Sequence, residues 1–174
     1  REHLRSRRDL QTIMLGFSDG TKDGGYLKAN WSIFRTKETL SQVCRDHGVR
    51  AIFFDGRGGP PARGGGKTHR FYAAHTPEIA NNEIQLTVQG QTITSTFGTR
   101  EQFMHNSEQL LTAGLSNAIF GKENIITPQQ RDLIEKLSEI SYGKYTDLKN
   151  HEKFVPYLEH RSTLKYYSNA NIGS

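Results

Sequence analysis

Apolar residues form two short runs in the first third of the chain, and a longer segment with helical spacing separates them. The runs at 12–17 and 49–54 are bounded by turn-forming residues, a pattern typical of buried strands. The segment 26–47 has apolar residues at three- and four-residue intervals, and Gly48 follows it as a helix-terminating glycine would. Its apolar positions are Leu27, Trp31, Phe34, Leu40, Val43 and Cys44. Strand, long helix and strand predict a βαβ unit with parallel strands and a right-handed crossover.

Polar and apolar residues alternate over 83–97, which predicts two extended segments that turn at Gly90. Thr99 and Gln102 have the spacing of a capping box, so we expect a helix from there to about Phe120. The hydrophobic period therefore changes at this point from that of a strand to that of a helix.

A second long helix is predicted after 127–130, where Thr, Pro and two Gln supply an N-cap, a proline in the first turn and a capping partner. We expect it to end at or near Gly143, and 147–167 to form short helical pieces broken at Pro156. Its expected buried face consists of Leu133, Ile134, Leu137 and Ile140. These patterns together predict the α/β class, with a C-terminal part that is mainly helical.

The length of 174 residues suits one domain, and the hydrophobic content of 34% is that of a globular chain. No apolar run approaches the length of a membrane span, and the charged residues 1–8 do not form a signal peptide. Cys44 is the single cysteine, which excludes an internal disulfide and suits a reducing compartment, so we expect the cytoplasm. The chain lacks an initial methionine and stops in loop-like residues, so we expect a piece of a longer protein.

The net charge of +5 raises the question of nucleic-acid binding. Four of the 23 lysines and arginines lie within residues 1–8, and others cluster in a glycine-rich loop. Aromatic residues are not interleaved with them as a base-stacking surface requires, so nucleic acid is not the favoured partner. A non-catalytic module that binds phosphate or nucleic acid through the basic glycine-rich loop stays open as an alternative.

The first strand is followed by Asp19 and Lys22, and this pair has two interpretations. It is either a surface turn with a weak ion pair, or a carboxylate for a hard metal with an ammonium beside it. The spacing alone does not decide between them. His69, His75 and His105 lack metal-ligand spacing, so we expect surface or hydrogen-bonded positions for them.

The second strand is followed by the glycine-rich loop 55–69, which carries Arg57 and Arg63. Ligands of parallel sheets bind at the carboxyl ends of strands, and a guanidinium among glycines can hold a phosphate or carboxylate with two hydrogen bonds. Solvated loop arginines are the alternative. A nucleotide-binding P-loop is excluded, because the glycine it needs five residues before Gly66 is Pro61.

Three segments resemble a known family. The segment 13–25, Ile-Met-Leu-Gly-Phe-Ser-Asp-Gly-Thr-Lys-Asp-Gly-Gly, closely resembles the second signature of phosphoenolpyruvate carboxylase, which has Tyr and Ser where this chain has Phe17 and Gly20. The loop beginning Phe-Asp-Gly-Arg-Gly-Gly at position 54 is similar to the family's Phe-His-Gly-Arg-Gly-Gly segment. Leu-Thr-Val-Gln-Gly at 86–90 is similar to its Val-Thr-(Val/Glu)-Gln-Gly.

The resemblance implies an anaplerotic, allosterically regulated enzyme that joins bicarbonate to phosphoenolpyruvate with Mg²⁺ or Mn²⁺, giving oxaloacetate and phosphate. It further implies a homotetramer built around a β/α (TIM-like) barrel, with neither nucleic acid nor membrane as partner. By resemblance, Asp19 is a metal ligand and Lys22 an active-site lysine. Arg57 binds the substrate phosphate, Arg63 lies on a mobile glycine loop near the substrate, and Gln89 contacts the substrate.

Two departures from the family pattern qualify this expectation. Asp55 replaces the family histidine, so either it pairs with a basic neighbour or phosphate and CO₂ are handled differently here. The second metal carboxylate, another catalytic histidine and further arginines of the family have no counterpart in this sequence. We therefore expect residues 1–174 to be a single fragment of a larger catalytic domain, inactive alone, with barrel strands and loops over about 11–98 and helices over about 99–174.

Overall fold

The computed structural model describes residues 2–57, 59–60, 64–79, 83–120 and 125–167. Within these ranges the chain forms three strands and nine helices. In chain order they are α1 (Glu2–Ser6), β1 (Leu10–Leu15), α2 (Phe17–Gly24), α3 (Tyr26–Asp46), β2 (Arg50–Asp55), α4 (Thr68–Ala73), β3 (Ile84–Leu86), α5 (Gln91–Phe97), α6 (Arg100–Phe120), α7 (Pro128–Lys149), α8 (Phe154–Arg161) and α9 (Leu164–Tyr167).

The three strands form one parallel sheet in the order β1-β2-β3. Leu15 pairs with Asp55 and Asp55 with Leu86, so all three strands end at the same edge of the sheet. The predicted βαβ unit with parallel strands is confirmed, with α3 as the connection packed against β2. The described residues show this small sheet beside many helices, and no closed barrel is visible among them.

The long helix α3 ends as the sequence predicts. The Gly48 N–H donates to the Arg45 carbonyl and the Val49 N–H to the Cys44 carbonyl, with Gly48 at φ 66°, which together form a Schellman motif. The predicted apolar face is only partly correct, because Trp31 and Cys44 are buried whereas Leu27 and Val43 are exposed. The buried residues of α3 are Ala29, Trp31, Ile33, Lys37, Ser41 and Cys44.

The segment after β1 is a helix, which the sequence pattern does not predict. β1 ends at Leu15, two residues before the predicted strand end, and Gly16 is the N-cap of α2. Phe17 and Thr21 are buried one turn apart, and the Thr21 hydroxyl donates to the Phe17 carbonyl at 2.8 Å. Burial of these two side chains holds the segment in a helix despite its glycines, whose intrinsic helix propensity is low.

The segment 83–97 also differs from the predicted pair of extended segments. Only Ile84–Leu86 is a strand, and Gln91–Phe97 is the helix α5. The predicted turn at Gly90 is present, with φ 57°. The helix packs against α6, where the Asn106 side-chain amide donates to the Thr96 carbonyl at 2.8 Å, so a tertiary contact overrides the alternating pattern.

Both predicted helix starts are confirmed by their capping hydrogen bonds. Thr99 and Gln102 exchange side-chain and backbone bonds at 3.2 Å, and Thr127 does the same with Gln130. The predicted end at Gly143 is wrong, because α7 continues to Lys149. The later break also differs from the prediction. It falls before α8, and the proline stands in that helix's first turn, where its missing N–H costs nothing.

Helix α7 packs on α3 through polar contacts and not through its predicted apolar face. Arg131 holds Glu38 with two hydrogen bonds of 2.7 Å, and Glu135 accepts from the Trp31 indole and from Arg35 at the same distance. The predicted buried residues Leu133, Leu137 and Ile140 are exposed, and Ile134 is half-buried. No helix of the described part of the chain combines the length and the apolar composition needed to cross a membrane.

Candidate active site

Arg57 is a buried arginine at the carboxyl end of β2. The strand ends at Asp55, and the Gly56 N–H donates to the Leu15 carbonyl of β1 at 3.0 Å, which fixes the chain just before the arginine. The Arg57 side chain is 5% exposed, and its guanidinium carbon lies 4.4 Å from the centroid of the Phe71 ring. Packing of this kind sets the direction of the guanidinium before any ligand arrives.

The guanidinium makes only weak bonds within the described residues. Its two terminal nitrogens donate to the Gly66 and Gly65 carbonyls at 3.4 Å, near the limit of a hydrogen bond. In the same part of the chain, Arg57 has no carboxylate within 4 Å, and its Nε has no hydrogen-bond partner. Burial lowers the pKa of Arg57 from its ordinary value, which marks the cost of holding this charge away from water. An anion would supply the missing acceptors.

The glycine loop packs closely against α2. Gly64 has φ 79°, and a Cβ atom there would lie 2.8 Å from the Thr21 hydroxyl and 2.9 Å from the Phe17 carbonyl oxygen. A Cβ on Gly65 would lie 1.7 Å from the Gly59 carbonyl oxygen, which no side chain can tolerate. Glycine is therefore required here to bring the loop backbone onto both α2 and Arg57.

Behind Arg57 lies a buried ion pair. Lys37 Nζ of α3 is 2.7 Å from Asp55 Oδ2, and the two side chains are 1% and 0% exposed. The Tyr72 hydroxyl donates to the same Asp55 oxygen at 2.8 Å, while Asp55 Oδ1 has no partner among the described residues. Of the two alternatives raised by Asp55, pairing with a basic neighbour is therefore confirmed.

Both buried cations contact aromatic rings. Lys37 Nζ lies 5.1 Å from the Phe71 centroid and 5.1 Å from that of Phe53, so the Phe71 ring contacts both Lys37 and Arg57. His75 is buried at 4% exposure, contrary to a surface position. Burial first, and then the charges of Lys37 and Arg57, lower the pKa of His75 to about 3, so its imidazole is neutral near pH 7.

A pocket of about 460 Å³ opens in front of Arg57. One side is the glycine loop with Gly59, Gly66 and Lys67, and the other is the end of β3 with α5 and α6. His69 and His105 both lie on its wall, which the sequence pattern did not suggest. The volume suits a small anionic metabolite.

Asp19 and Lys22 lie on the exposed side of α2, and neither lines the pocket. Their side chains form an ion pair of 3.8 Å and are 83% and 63% exposed. A Cβ on Gly16 would lie 3.4 Å from Asp19 Oδ2, so the carboxylate lies over the end of β1. The described residues contain no group of three or more His, Cys, Asp and Glu side chains able to hold a metal ion. The role of Asp19 as one oxygen ligand of Mg²⁺ therefore stays a prediction, and the described residues alone do not form a complete metal site.

The remaining predicted residues are only partly placed. Gln89 is half-buried in the segment after β3, next to Thr87 and Val88, which line the pocket. Arg63 lies outside the described residues. The structure therefore brings Arg57 together with the glycine loop and the β3 end, and it places Asp19 and Lys22 on the neighbouring helix.

Lys37 is the site residue that sequence reasoning missed. It stands four residues after Ile33, four before Ser41 and seven before Cys44, all of which are buried. A lysine inside the buried stripe of a helix requires a counter-ion, because an unpaired buried charge is costly. The position of Lys37 in the buried stripe therefore indicated a buried ion pair, but it did not identify Asp55 as the partner.

The described residues form an α/β protein with a small parallel sheet, and its buried arginine lies in a glycine-walled pocket at the carboxyl ends of the strands. The chain belongs to the phosphoenolpyruvate carboxylase family, since the family model described as Phosphoenolpyruvate carboxylase matches residues 1–174. It is 36% identical over 177 residues to "Phosphoenolpyruvate carboxylase" of Nitrosomonas eutropha. It is 34% and 33% identical to proteins of the same name from Corynebacterium glutamicum and Corynebacterium diphtheriae.

These matches cover the whole of this chain but only 19% of each relative. The chain thus spans about a fifth of the length of the curated relatives it matches.

Proposed function

We propose that this chain forms the phosphate-binding part of the active site of a phosphoenolpyruvate carboxylase, acting within a longer polypeptide. The observation that carries the proposal is the state of Arg57: buried, held against Phe71, facing a pocket and bonded only weakly to the Gly65 and Gly66 carbonyls. A phosphate would replace those two long bonds with two charge-assisted ones.

The proposed reaction transfers the phosphoryl group of phosphoenolpyruvate to bicarbonate, which leaves an enolate and carboxyphosphate. Carboxyphosphate releases CO₂ and phosphate, and the enolate attacks CO₂ to give oxaloacetate. Arg57 would bind the phosphoryl oxygens before transfer and stabilise the charge on them during it. A bound Mg²⁺ or Mn²⁺ would supply Lewis-acid stabilisation of the developing charge.

Residues around Arg57 would complete the substrate site. Asp19 is proposed as one metal ligand, and Lys22 as a positive charge beside it. Gln89 and Arg63 are proposed to contact substrate from the β3 end and from the glycine loop. The glycine-rich loop lies close to both Arg57 and α2. Its glycines would let it move when substrate binds, and in its closed position it would keep water from the enolate.

The proposal is tested by replacing Arg57 in the full-length enzyme that contains this chain. Arg57→Gln removes the charge while keeping a polar side chain, and we expect kcat/KM for phosphoenolpyruvate to fall by roughly two to three orders of magnitude. Arg57→Lys should recover only part of this, because an ammonium cannot bind two oxygens in parallel. Steady-state kinetics with varied phosphoenolpyruvate measures both effects.

Arg70→Gln is the matched control, because Arg70 is an exposed arginine on the adjoining helix α4. Its kinetics should equal those of the parent enzyme. An unchanged kcat/KM in Arg57→Gln would contradict the proposal. Tight binding of DNA or RNA that weakens steeply with salt would instead favour a nucleic-acid module.

A further inference from the structure

Three ionic groups are buried together at the end of β2: the Lys37 ammonium, the Asp55 carboxylate and the Arg57 guanidinium. Lys37 and Asp55 are in direct contact at 2.7 Å, whereas Arg57 has no carboxylate within 4 Å in the described part of the chain. One cation of the cluster is therefore neutralised and the other is not. The unneutralised cation is the one that faces the pocket.

The geometry of Asp55 explains why it pairs with Lys37 and not with Arg57. Its Oδ2 accepts from both Lys37 and the Tyr72 hydroxyl, at 2.7 and 2.8 Å. Asp55 does not line the pocket, and its exposure is 0%. Burial raises the pKa of Tyr72 above its ordinary value, as does the adjacent Asp55, so the tyrosine stays protonated and keeps donating.

We propose that Lys37 is a positioning residue for the anion site: by neutralising Asp55, it leaves the charge of Arg57 available to the substrate phosphate. This inference rests on the function proposed above. Asp55 Oδ1 and Arg57 Nε are both buried and without partners in the described residues. Without Lys37, Asp55 would pair with Arg57, the remaining buried cation beside it. The charge of Arg57 would then be offset by Asp55, and its guanidinium would be less able to bind an anion in the pocket.

The test uses Lys37→Met, Asp55→Asn and the double variant in the full-length enzyme. Methionine fills a space similar to that of lysine among the rings but leaves Asp55 without its counter-ion. We expect Lys37→Met to raise the KM for phosphoenolpyruvate by at least about tenfold, because an unneutralised carboxylate a few ångströms from Arg57 acts strongly on it even at an effective dielectric near 20. The inhibition constant for inorganic phosphate should rise by a similar factor.

The direction of the Asp55→Asn effect separates this role from a structural one. Asp55→Asn removes the carboxylate that would compete with the substrate phosphate for Arg57, so the KM should not rise above the parent value. In the double variant, Asp55→Asn should restore the KM that Lys37→Met raised, to within about twofold. If the Lys37–Asp55 pair served only folding, Lys37→Met and Asp55→Asn would raise the KM equally, and that result would overturn the proposal.

Lys28→Met is the matched control, because Lys28 is also on α3 and also ion-paired, with Glu135 and Glu139 of α7. Its KM should equal the parent value. If Lys37→Met does not fold, as judged by thermal unfolding, the double variant decides alone: a KM within about twofold of the parent value supports the proposal, and a higher KM overturns it. If Arg57→Gln lowers kcat/KM but Lys37→Met leaves the KM unchanged, this inference is refuted and the proposed function is kept. A silent Arg57→Gln would refute the proposed function itself.

Discussion

The guanidinium of Arg57 lies 4.4 Å above the Phe71 ring, and Lys37 Nζ lies 5.1 Å from the same ring centroid. The Phe71 ring thus contacts two cations, Arg57, which lines the pocket, and Lys37, which does not. The ring also makes an edge contact with Phe17 of α2, with centroids 5.5 Å apart. Phe71 therefore ties the arginine to the helix that carries Asp19.

Replacing Phe71 with leucine should weaken substrate binding without removing any charge. A desolvated cation–π contact contributes about 2 kcal/mol, and its loss would also let the guanidinium turn. We expect the KM for phosphoenolpyruvate in Phe71→Leu to rise by up to about thirtyfold, measured by steady-state kinetics. Phe154→Leu on α8, a helix that packs on α9, should leave the KM unchanged. Equal KM values in the two variants would show that the stacking is incidental.

An alanine at Gly64 should loosen the glycine loop from α2. Both Gly64 and Gly48 have positive φ, 79° and 66°, so an alanine at either costs about 1–2 kcal/mol of backbone strain. Only at Gly64 would the new methyl also collide with Thr21, whereas nothing lies within 4 Å at Gly48. We expect Gly64→Ala to lower the unfolding midpoint or kcat/KM more than Gly48→Ala. If the two alanines have the same effect, the loop does not need this close approach.

The buried His75 should make the protein sensitive to mild acid. Its pKa of about 3 in the folded state lies below the ordinary 6.5, so the unfolded chain binds the proton first as the pH falls. Stability from this group is complete above pH 6.5 and declines by about 1.4 kcal/mol per pH unit down to about pH 3. Thermal unfolding at pH 7 and pH 5 should show a loss of about 2 kcal/mol that His75→Gln does not show. His151→Gln, at an exposed position, should retain the parent's loss.

Asp19→Asn should raise the Mg²⁺ requirement of the full-length enzyme. An amide oxygen is a weaker ligand for a hard cation than a carboxylate, so the Mg²⁺ concentration for half-maximal activity should rise by at least about tenfold. Asp23→Asn, at another exposed carboxylate of the same helix, is the control and should retain the parent's value. Normal metal dependence in Asp19→Asn would remove Asp19 from the metal site.

Local signals were sufficient for parts of this fold and misleading for others. The parallel βαβ unit was predictable because apolar runs and the Gly48 terminator are encoded over a few residues each. The helix α2 was not predictable, because its glycines favour a loop and the burial of Phe17 and Thr21 depends on tertiary packing. Helix α5 was missed for a similar reason, since contact with α6 outweighs its alternating pattern.

For the site, the strand-end position of Arg57 could be read from the sequence, because a glycine-rich loop after a buried strand specifies where a ligand can approach. The partnership of Lys37 with Asp55 could not. Their distance depends on how α3 packs over β2, which no periodicity along either segment determines. The polar packing of α7 on α3 could not be predicted either, because the apolar stripe of α7 suggested a buried face that is in fact exposed.

The order in which these contacts can form during synthesis follows from how far apart they lie along the chain. The bonds among Lys37, Asp55 and Tyr72 span 17 and 18 residues, and those of Arg57 with the glycine loop span 8 and 9. The bonds between α3 and α7 span 93 to 111 residues. On a ribosome, the arginine pocket can therefore close while α7 is still untranslated, and α7 then locks a preformed surface. Truncation within α7 should accordingly affect how long the pocket survives more than whether it forms.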